Sequence, residues 1–327
     1  MATIFYNESA DPSHLKELEL SVIGYGNQGR AQALNLRDEG MKVRVGARIE
    51  GKSWSDARAD GFEPIPIQEA AQAADLILMT LPDEVMPRVF ENEISKWAKP
   101  ETAYVFAHGF AIHNKTITLP READVILVAP TGPGHQVRSL YLEGSGLPAL
   151  LAVEQDASGK AKEIGLAFAG AIGSTRAGVI ETTFEEETNV DLFCEQAVLC
   201  GGLPELIKSS FETLVSKGYQ PELAYISCLK EVKLIADLLF DRGLSGMRSA
   251  ISSTAKYGAY MSGPEIIDRK TRHNLEHILQ RIENGSFAET FIQDCASTDN
   301  LMTRSESEEK NSRINRTGER LKENLTF

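Results

Sequence analysis

Short apolar runs punctuate the first half of the chain at residues 18–24, 42–46, 75–80, 102–107, 124–129, 148–154 and 177–181, separated by stretches with helical spacing. Two of them, Leu76-Ile77-Leu78-Met79 and Val125-Ile126-Leu127-Val128, have no polar alternation at all. A strand covered on only one face would show it, so the pattern predicts a parallel sheet with helices on both faces, a doubly wound α/β domain. After Glu185-Glu186-Glu187 the strand-like runs stop, and apolar residues recur at spacings of three and four. Helices are predicted over residues 192–217, 222–241, 246–261, 265–284 and 287–295, with Gly243, Gly258 and Gly285 as breaks. The boundary is placed near Thr182. Residues 1–182 form the α/β domain and 183–327 an all-helical one, and the charged tail 297–327 reads as a solvated helix or partly disordered arm.

At 327 residues and 42% hydrophobic content, two domains are the natural expectation. A formal net charge of −13 argues against nucleic acid or an anionic membrane surface as partner. No apolar stretch reaches the roughly 20 residues that cross a bilayer, and Met1-Ala2-Thr3-Ile4-Phe5 is no basic leader, so a cytoplasmic protein is expected. Cys194, Cys200, Cys228 and Cys295 show no Cys-x-x-Cys spacing and are expected to be buried thiols rather than a disulfide frame or a zinc site. Trp54 and Trp97 are expected to pack the α/β layer.

The first apolar run leads into Gly24-Tyr25-Gly26-Asn27-Gln28-Gly29, which opens a helix over residues 30–39. This is the dinucleotide fingerprint in its proper place. Gly24 permits the turn, Gly26 lets the backbone approach a pyrophosphate, Gly29 lets the helix pack closely, and the helix amides receive the anion. A Rossmann-type fold follows. Cofactor choice is read after the second strand, at Ala47-Arg48-Ile49-Glu50-Gly51-Lys52-Ser53. Arg48, Lys52 and Ser53 favour the extra phosphate of NADPH, whereas Glu50 argues for the ribose hydroxyls of NADH, and solvated loop charges are the bland alternative.

Further along, Asp191 and Glu195 stand four apart with Leu192, Phe193, Ala197, Val198 and Leu199 around them, so two acids are expected to interrupt a largely buried helix. Carboxylate oxygens at that spacing suit a hard divalent cation such as Mg2+. Glu231, one turn after Ser227, is a further candidate, though it could equally pair with Lys230 or Lys233. The other histidines, His14, His113, His135, His273 and His277, read as structural or exposed. The i,i+4 pair His273 and His277 has spacing that can bind a metal, but Arg272 and Glu276 beside it suggest an exposed face, and no role is assigned.

Several stretches together carry a resemblance: residues 24–29, Leu81-Pro82-Asp83-Glu84-Val85, Phe106-Ala107-His108-Gly109-Phe110, Ala129-Pro130-Thr131-Gly132-Pro133-Gly134-His135, and residues 191–202 and 221–237. Over nearly its whole length the chain resembles the short-type (class I) ketol-acid reductoisomerases. The resemblance implies a Rossmann-type domain and a helical domain that interlocks with its copy in a homodimer, with the active site between subunits and assembly beyond the dimer left open. It implies NADPH and two Mg2+ ions converting a 2-acetohydroxy acid, by alkyl migration and then hydride transfer, into a 2,3-dihydroxy acid. Carried over by position, Asp191 would bridge the metals, Glu195 would bind one, Glu231 would act through water or a substrate hydroxyl, and Ser252 would bind the substrate carboxylate. His108 would stand near the nicotinamide, and Leu81, Pro82, Asp83 and Gly134 would line the cofactor site.

Two catalytic positions depart from the family pattern. Thr131 stands where a lysine is expected and Ser227 where a glutamate is expected, and Lys256 and Ala259 replace further acids. Hydride transfer depends less on a complete dimetal site than alkyl migration does. The leading expectation is therefore an NADPH-dependent, Mg-assisted reductase or reductoisomerase of a small 2-keto or 2-acetohydroxy acid, diverged from the parent activity. An authentic ketol-acid reductoisomerase of valine and isoleucine synthesis is the alternative. A catalytically silent cofactor-binding scaffold, or a metal-free hydroxy-acid or imine reductase, stands further off.

Overall fold

The computed structural model describes residues 2–324. By internal contacts the chain divides into two units, Met1–Val190 and Asp191–Phe327, and the split falls inside a helix.

The first unit is an eight-stranded sheet of order β1-β8-β7-β6-β5-β4-β2-β3. Its strands are β1 (Ile4–Phe5), β2 (Glu19–Ile23), β3 (Lys42–Gly46), β4 (Leu76–Met79), β5 (Ala103–Phe106), β6 (Val125–Pro130), β7 (Ala149–Gln155) and β8 (Val179–Glu181). Strands β2 to β6 are parallel. The all-parallel expectation fails beyond them: β7 runs antiparallel to β6, β8 follows β7, and the unforeseen β1 pairs antiparallel with β8. Helices α1 (Ser13–Lys16), α2 (Asn27–Asp38), α3 (Lys52–Ala59), α4 (Ile67–Ala73), α5 (Met86–Val89), α6 (Phe110–His113), α7 (Gly134–Leu142), α8 (Ala161–Ala171) and α9 (Phe184–Cys194) complete the unit, α9 running across the split. Two cores lie on opposite faces: Leu76 and Leu78 enter one, Ile77 and Met79 the other. That is why no strand polarity shows in the sequence. Trp54 packs against the first core, but Trp97 is exposed.

The second unit is helical: α10 (Gly202–Ser216), α11 (Pro221–Tyr225), α12 (Glu231–Ala250), α13 (Ser253–Ile266), α14 (Arg269–Glu283), α15 (Ser286–Cys295), α16 (Leu301–Lys310) and α17 (Arg313–Asn324). The single helices expected over 192–217 and 222–241 are instead interrupted by π-helical turns at Glu195–Leu199 and Ile226–Lys230. Gly243 does kink its helix, with φ 65°, whereas Gly258 lies inside α13 and breaks nothing. The charged tail is no loose arm over its described residues. Helix α17 packs on α11, burying Thr317 and Leu321. Gly318 permits this, because a Cβ there would lie 2.6 Å from the Tyr225 hydroxyl.

Candidate active site

Each of the five parallel strands ends at a loop carrying candidate residues: Gly24 after β2, Arg48 after β3, Leu81 after β4, His108 after β5 and Thr131 after β6. Parallel direction puts all five loops at one edge of the sheet. The strand order turns at β2, which lies between β3 and β4, so the crevice there is where such folds receive a dinucleotide.

Close approach explains the glycines of the crevice. Gly24 has φ +103°, and a Cβ on it would sit 2.5 Å from the Thr80 carbonyl; one on Gly29 would meet the Gly24 oxygen at 1.9 Å. Thr80 Oγ1 donates to that same oxygen at 2.6 Å, clamping the turn to the end of β4. Gly134 matters equally, since a Cβ there would lie 1.9 Å from the Asn27 carbonyl, and Gln28 Nε2 donates to the Gly132 carbonyl at 2.8 Å. Gly26 differs from these. Nothing lies within 4 Å of where its Cβ would be, it is exposed, and it precedes the uncapped N-terminus of α2. Bare backbone facing open space at free helix amides fits a dinucleotide pyrophosphate.

Tyr25 of the fingerprint turns inward. Its hydroxyl donates to Asp60 Oδ2 at 2.9 Å, and the ring packs edge-on against Phe62. Arg30, in the first turn of α2, holds both Asp60 oxygens at 2.6 and 2.8 Å. The Arg30 guanidinium holds the Asp60 carboxyl below the usual carboxylate range, and burial together with Asp60 pushes the Tyr25 phenol up. A cavity of about 510 Å³ opens beside this turn, lined among others by Gly26, Asn27, Lys52, His135 and Arg138. On the loop after β3, Arg48 is exposed, Glu50 takes φ 58°, Lys52 pairs with Asp56 at 2.5 Å, and Ser53 lies in the first turn of α3. Leu81 packs into the second core, while the Pro82 carbonyl receives the amides of Val85 and Met86 at 2.9 Å, so Leu81, Pro82 and Asp83 lead into α5.

His108 is partly buried, and its Nδ1 lies 3.0 Å from Glu187 Oε1. The other oxygen of Glu187 accepts the Gly109 amide at 2.8 Å and the Thr188 hydroxyl at 3.3 Å. With Glu187 accepting at both oxygens, Nδ1 carries the proton and the ring's lone pair sits on Nε2. Glu187 has a side chain only 2% exposed and was not foreseen. Its one sequence signal was position: it precedes Asp191 by one helical turn in α9.

The remaining carboxylates are more open than expected. Asp191 is partly exposed and Glu195 exposed, and Val190, Val198 and Leu199 around them are exposed too, so this is not a buried helix within one chain. Glu195 begins a π turn whose carbonyl receives the amide of Cys200 at 2.8 Å. Ser227 lies in the second π turn and Glu231 caps it, both exposed. Such turns recur at functional sites because they re-aim side chains. Ser252 is the N-cap of α13, its hydroxyl accepting from the Ala255 amide at 3.1 Å. Thr131 gives both its amide and its hydroxyl to the Pro148 carbonyl, at 2.9 and 3.0 Å.

Two family models match successive parts of the chain: the NADPH-binding domain of acetohydroxy acid isomeroreductase over residues 14–178 and the C-terminal domain of ketol-acid reductoisomerase over residues 184–327. The chain belongs to the ketol-acid reductoisomerase family. Among relatives, the ketol-acid reductoisomerase (NADP(+)) of Petrotoga mobilis is 49% identical over 98% of this chain and 98% of its own. Among solved structures, an NADH-preferring ketol-acid reductoisomerase from an uncultured archaean is 42% identical, with a TM-score of 0.95, covering 99% of this chain and 100% of that one. A semialdehyde dehydrogenase NAD-binding protein from Cupriavidus necator, 17% identical with a TM-score of 0.62 over 82% of this chain and 99% of that one, shares the fold alone. As a ketol-acid reductoisomerase family member, the chain has the Rossmann-type domain followed by a helical domain that its pattern predicted. Among the described residues, no helix is long and apolar enough to cross a membrane.

Proposed function

We propose that this family member is an NADPH-dependent, Mg-assisted reductase or reductoisomerase of a small 2-keto or 2-acetohydroxy acid, with alkyl migration weakened relative to hydride transfer. The observation that carries the reading is Thr131. Its hydroxyl is committed to the Pro148 carbonyl, so the position offers neither an ammonium nor a free donor. Ser227 likewise offers no charge where the resemblance implies a glutamate.

Within this reading the Gly24–Gly29 turn and Gly134 seat the dinucleotide, whose nicotinamide supplies the hydride. His108, held at Nδ1 by Glu187, would hold or pass a proton at its Nε2. Asp191, Glu195 and Glu231 offer the hard oxygen donors that suit Mg2+, which when bound would polarise the substrate carbonyl and steady a developing alkoxide. Ser252 would bind the substrate carboxylate. Arg48, Lys52 and Ser53 support NADPH, although Lys52 already shares its charge with Asp56, and NADH is the alternative. Comparing Michaelis constants decides between them, and equal or better use of NADH rejects the preference. A homodimer is supported by large apolar side chains left open on the second unit, Phe240 at 92% and Leu244 and Tyr257 at 70% exposed among them. The protein is read as cytoplasmic.

The test assays acetolactate against its alkyl-migrated 2-keto-3-hydroxy isomer, with NADPH and Mg2+. Faster reduction of the isomer is expected. Turnover of acetolactate at roughly 1 per second or more would instead establish the second reading, an authentic ketol-acid reductoisomerase, which the 49% identity over nearly the full chain favours.

A further inference from the structure

Helix α14 carries an exposed histidine pair remote in sequence from every residue used above. His273 and His277 are one turn apart, their Nε2 atoms lie 2.9 Å from one another, and their rings stand edge to face with centroids 4.2 Å apart. Glu276 places a carboxylate oxygen 3.5 Å from the opposite nitrogen of His273, its Nδ1. We propose that His273 and His277 form a two-imidazole chelate for a divalent transition-metal ion of the Cu(II) or Ni(II) type, separate from any Mg2+ held by carboxylates.

The geometry selects the ion. Imidazole nitrogens bind such metals at about 2.0–2.1 Å, so a nitrogen separation of 2.9 Å closes an angle of about 90° at the metal. That is a pair of neighbouring positions in a square-planar or octahedral ion. A tetrahedral ion would want the nitrogens about 3.3 Å apart, which disfavours zinc. Glu276 favours one tautomer: its carboxylate oxygen, 3.5 Å from Nδ1, attracts the His273 proton to that nitrogen, which leaves Nε2 its lone pair for the metal. His277 then releases its Nε2 proton or moves it to Nδ1. The helix backbone fixes both residues beforehand, so little order is lost on binding. Both His273 and Glu276 are well exposed, which leaves the remaining positions on the metal to water.

The test titrates the full-length protein with CuCl2, NiCl2 and ZnCl2 in excess Mg2+, by calorimetry and Cu(II) electron paramagnetic resonance. One ion per chain is expected, with hyperfine coupling to two nitrogens and affinity falling from copper to nickel to zinc. His273→Ala or His277→Ala should each abolish that ion, and Glu276→Gln should weaken it about tenfold. An unchanged uptake in the double alanine variant, or zinc bound more tightly than nickel, would overturn the proposal. Circular dichroism of each variant confirms that α14 is intact.

Discussion

The substitution Glu187→Gln removes one charge and almost no volume from a side chain that is 2% exposed and accepts three hydrogen bonds. The carbonyl oxygen of the new amide can still receive the Gly109 N–H, leaving its NH2 facing His108 Nδ1. An NH2 can only donate, so Nδ1 must give up its proton and the imidazole adopts the tautomer protonated at Nε2. Nε2 then becomes a donor only. A proton-transfer group in the wrong state forfeits its contribution, typically 10²- to 10⁴-fold, so kcat for hydride transfer should fall by about 10²-fold or more. Stability should fall by about 1.5–3 kcal/mol, the worth of a hydrogen bond to a charged group. Cofactor affinity should stay as it is, because Glu187 touches no part of the glycine turn. Turnover is followed by NADPH oxidation, cofactor binding by NADPH fluorescence, and the tautomer by ¹⁵N NMR of labelled histidine. Unchanged kcat, or a Glu187→Gln protein whose His108 still carries its proton on Nδ1, would refute the reasoning. Glu187→Asp, which keeps the charge, should recover part of the lost rate.

Three further outcomes follow from the same geometry. Asp60, whose carboxyl Arg30 holds below the ordinary range near pH 4, contributes stability that is complete above that range and is lost as pH falls through its folded value. The melting-temperature gap between wild type and Asp60→Asn should therefore be flat from neutral pH to about pH 5 and close below about pH 4, and a gap that persists in acid contradicts the assignment. Gly134→Ala should weaken NADPH binding and cost about 1–3 kcal/mol, because its Cβ would press on the Asn27 carbonyl, and wild-type affinity would show the contact to be unimportant. Thr131→Lys with Ser227→Glu should raise acetolactate isomerisation more than the two single changes combined, measured by NADPH consumption, and no gain would mean these positions are not limiting.

The glycine turn and the strand-end loops were readable because they depend on local rules. The fingerprint at Gly24–Gly29 and the loops after the strands needed only apolar runs and turn residues. Glu187 escaped because it looks like its neighbours. Glu185, Glu186 and Glu187 are three consecutive acids, and only the phase of α9, with Phe184 and Thr188 buried, decides that Glu185 and Glu186 face water while Glu187 turns inward. The reading of Asp191 and Glu195 on a buried helix erred for the opposite reason. Val190, Val198 and Leu199 are apolar but exposed in the single chain, and hydropathy alone does not say what covers a face. Of the two readings of the tail, α16 bears out the solvated helix, whereas α17 departs from both because Ile314, Thr317 and Leu321, few among many charges, fall on the face that meets α11.

Apolar periodicity and motif spacing by themselves determined that this protein has a dinucleotide-binding α/β domain followed by a helical one, and the resemblance its motifs carry implied the family. These features arise from contacts between near neighbours, which the order of residues specifies directly. Only the tertiary structure decided that β7 reverses direction, that Glu187 sets the proton on His108, that Thr131 spends its hydroxyl on Pro148, and that Asp60 ties Tyr25 to Arg30. Each of these joins groups far apart in the chain, and such pairings depend on how whole elements pack.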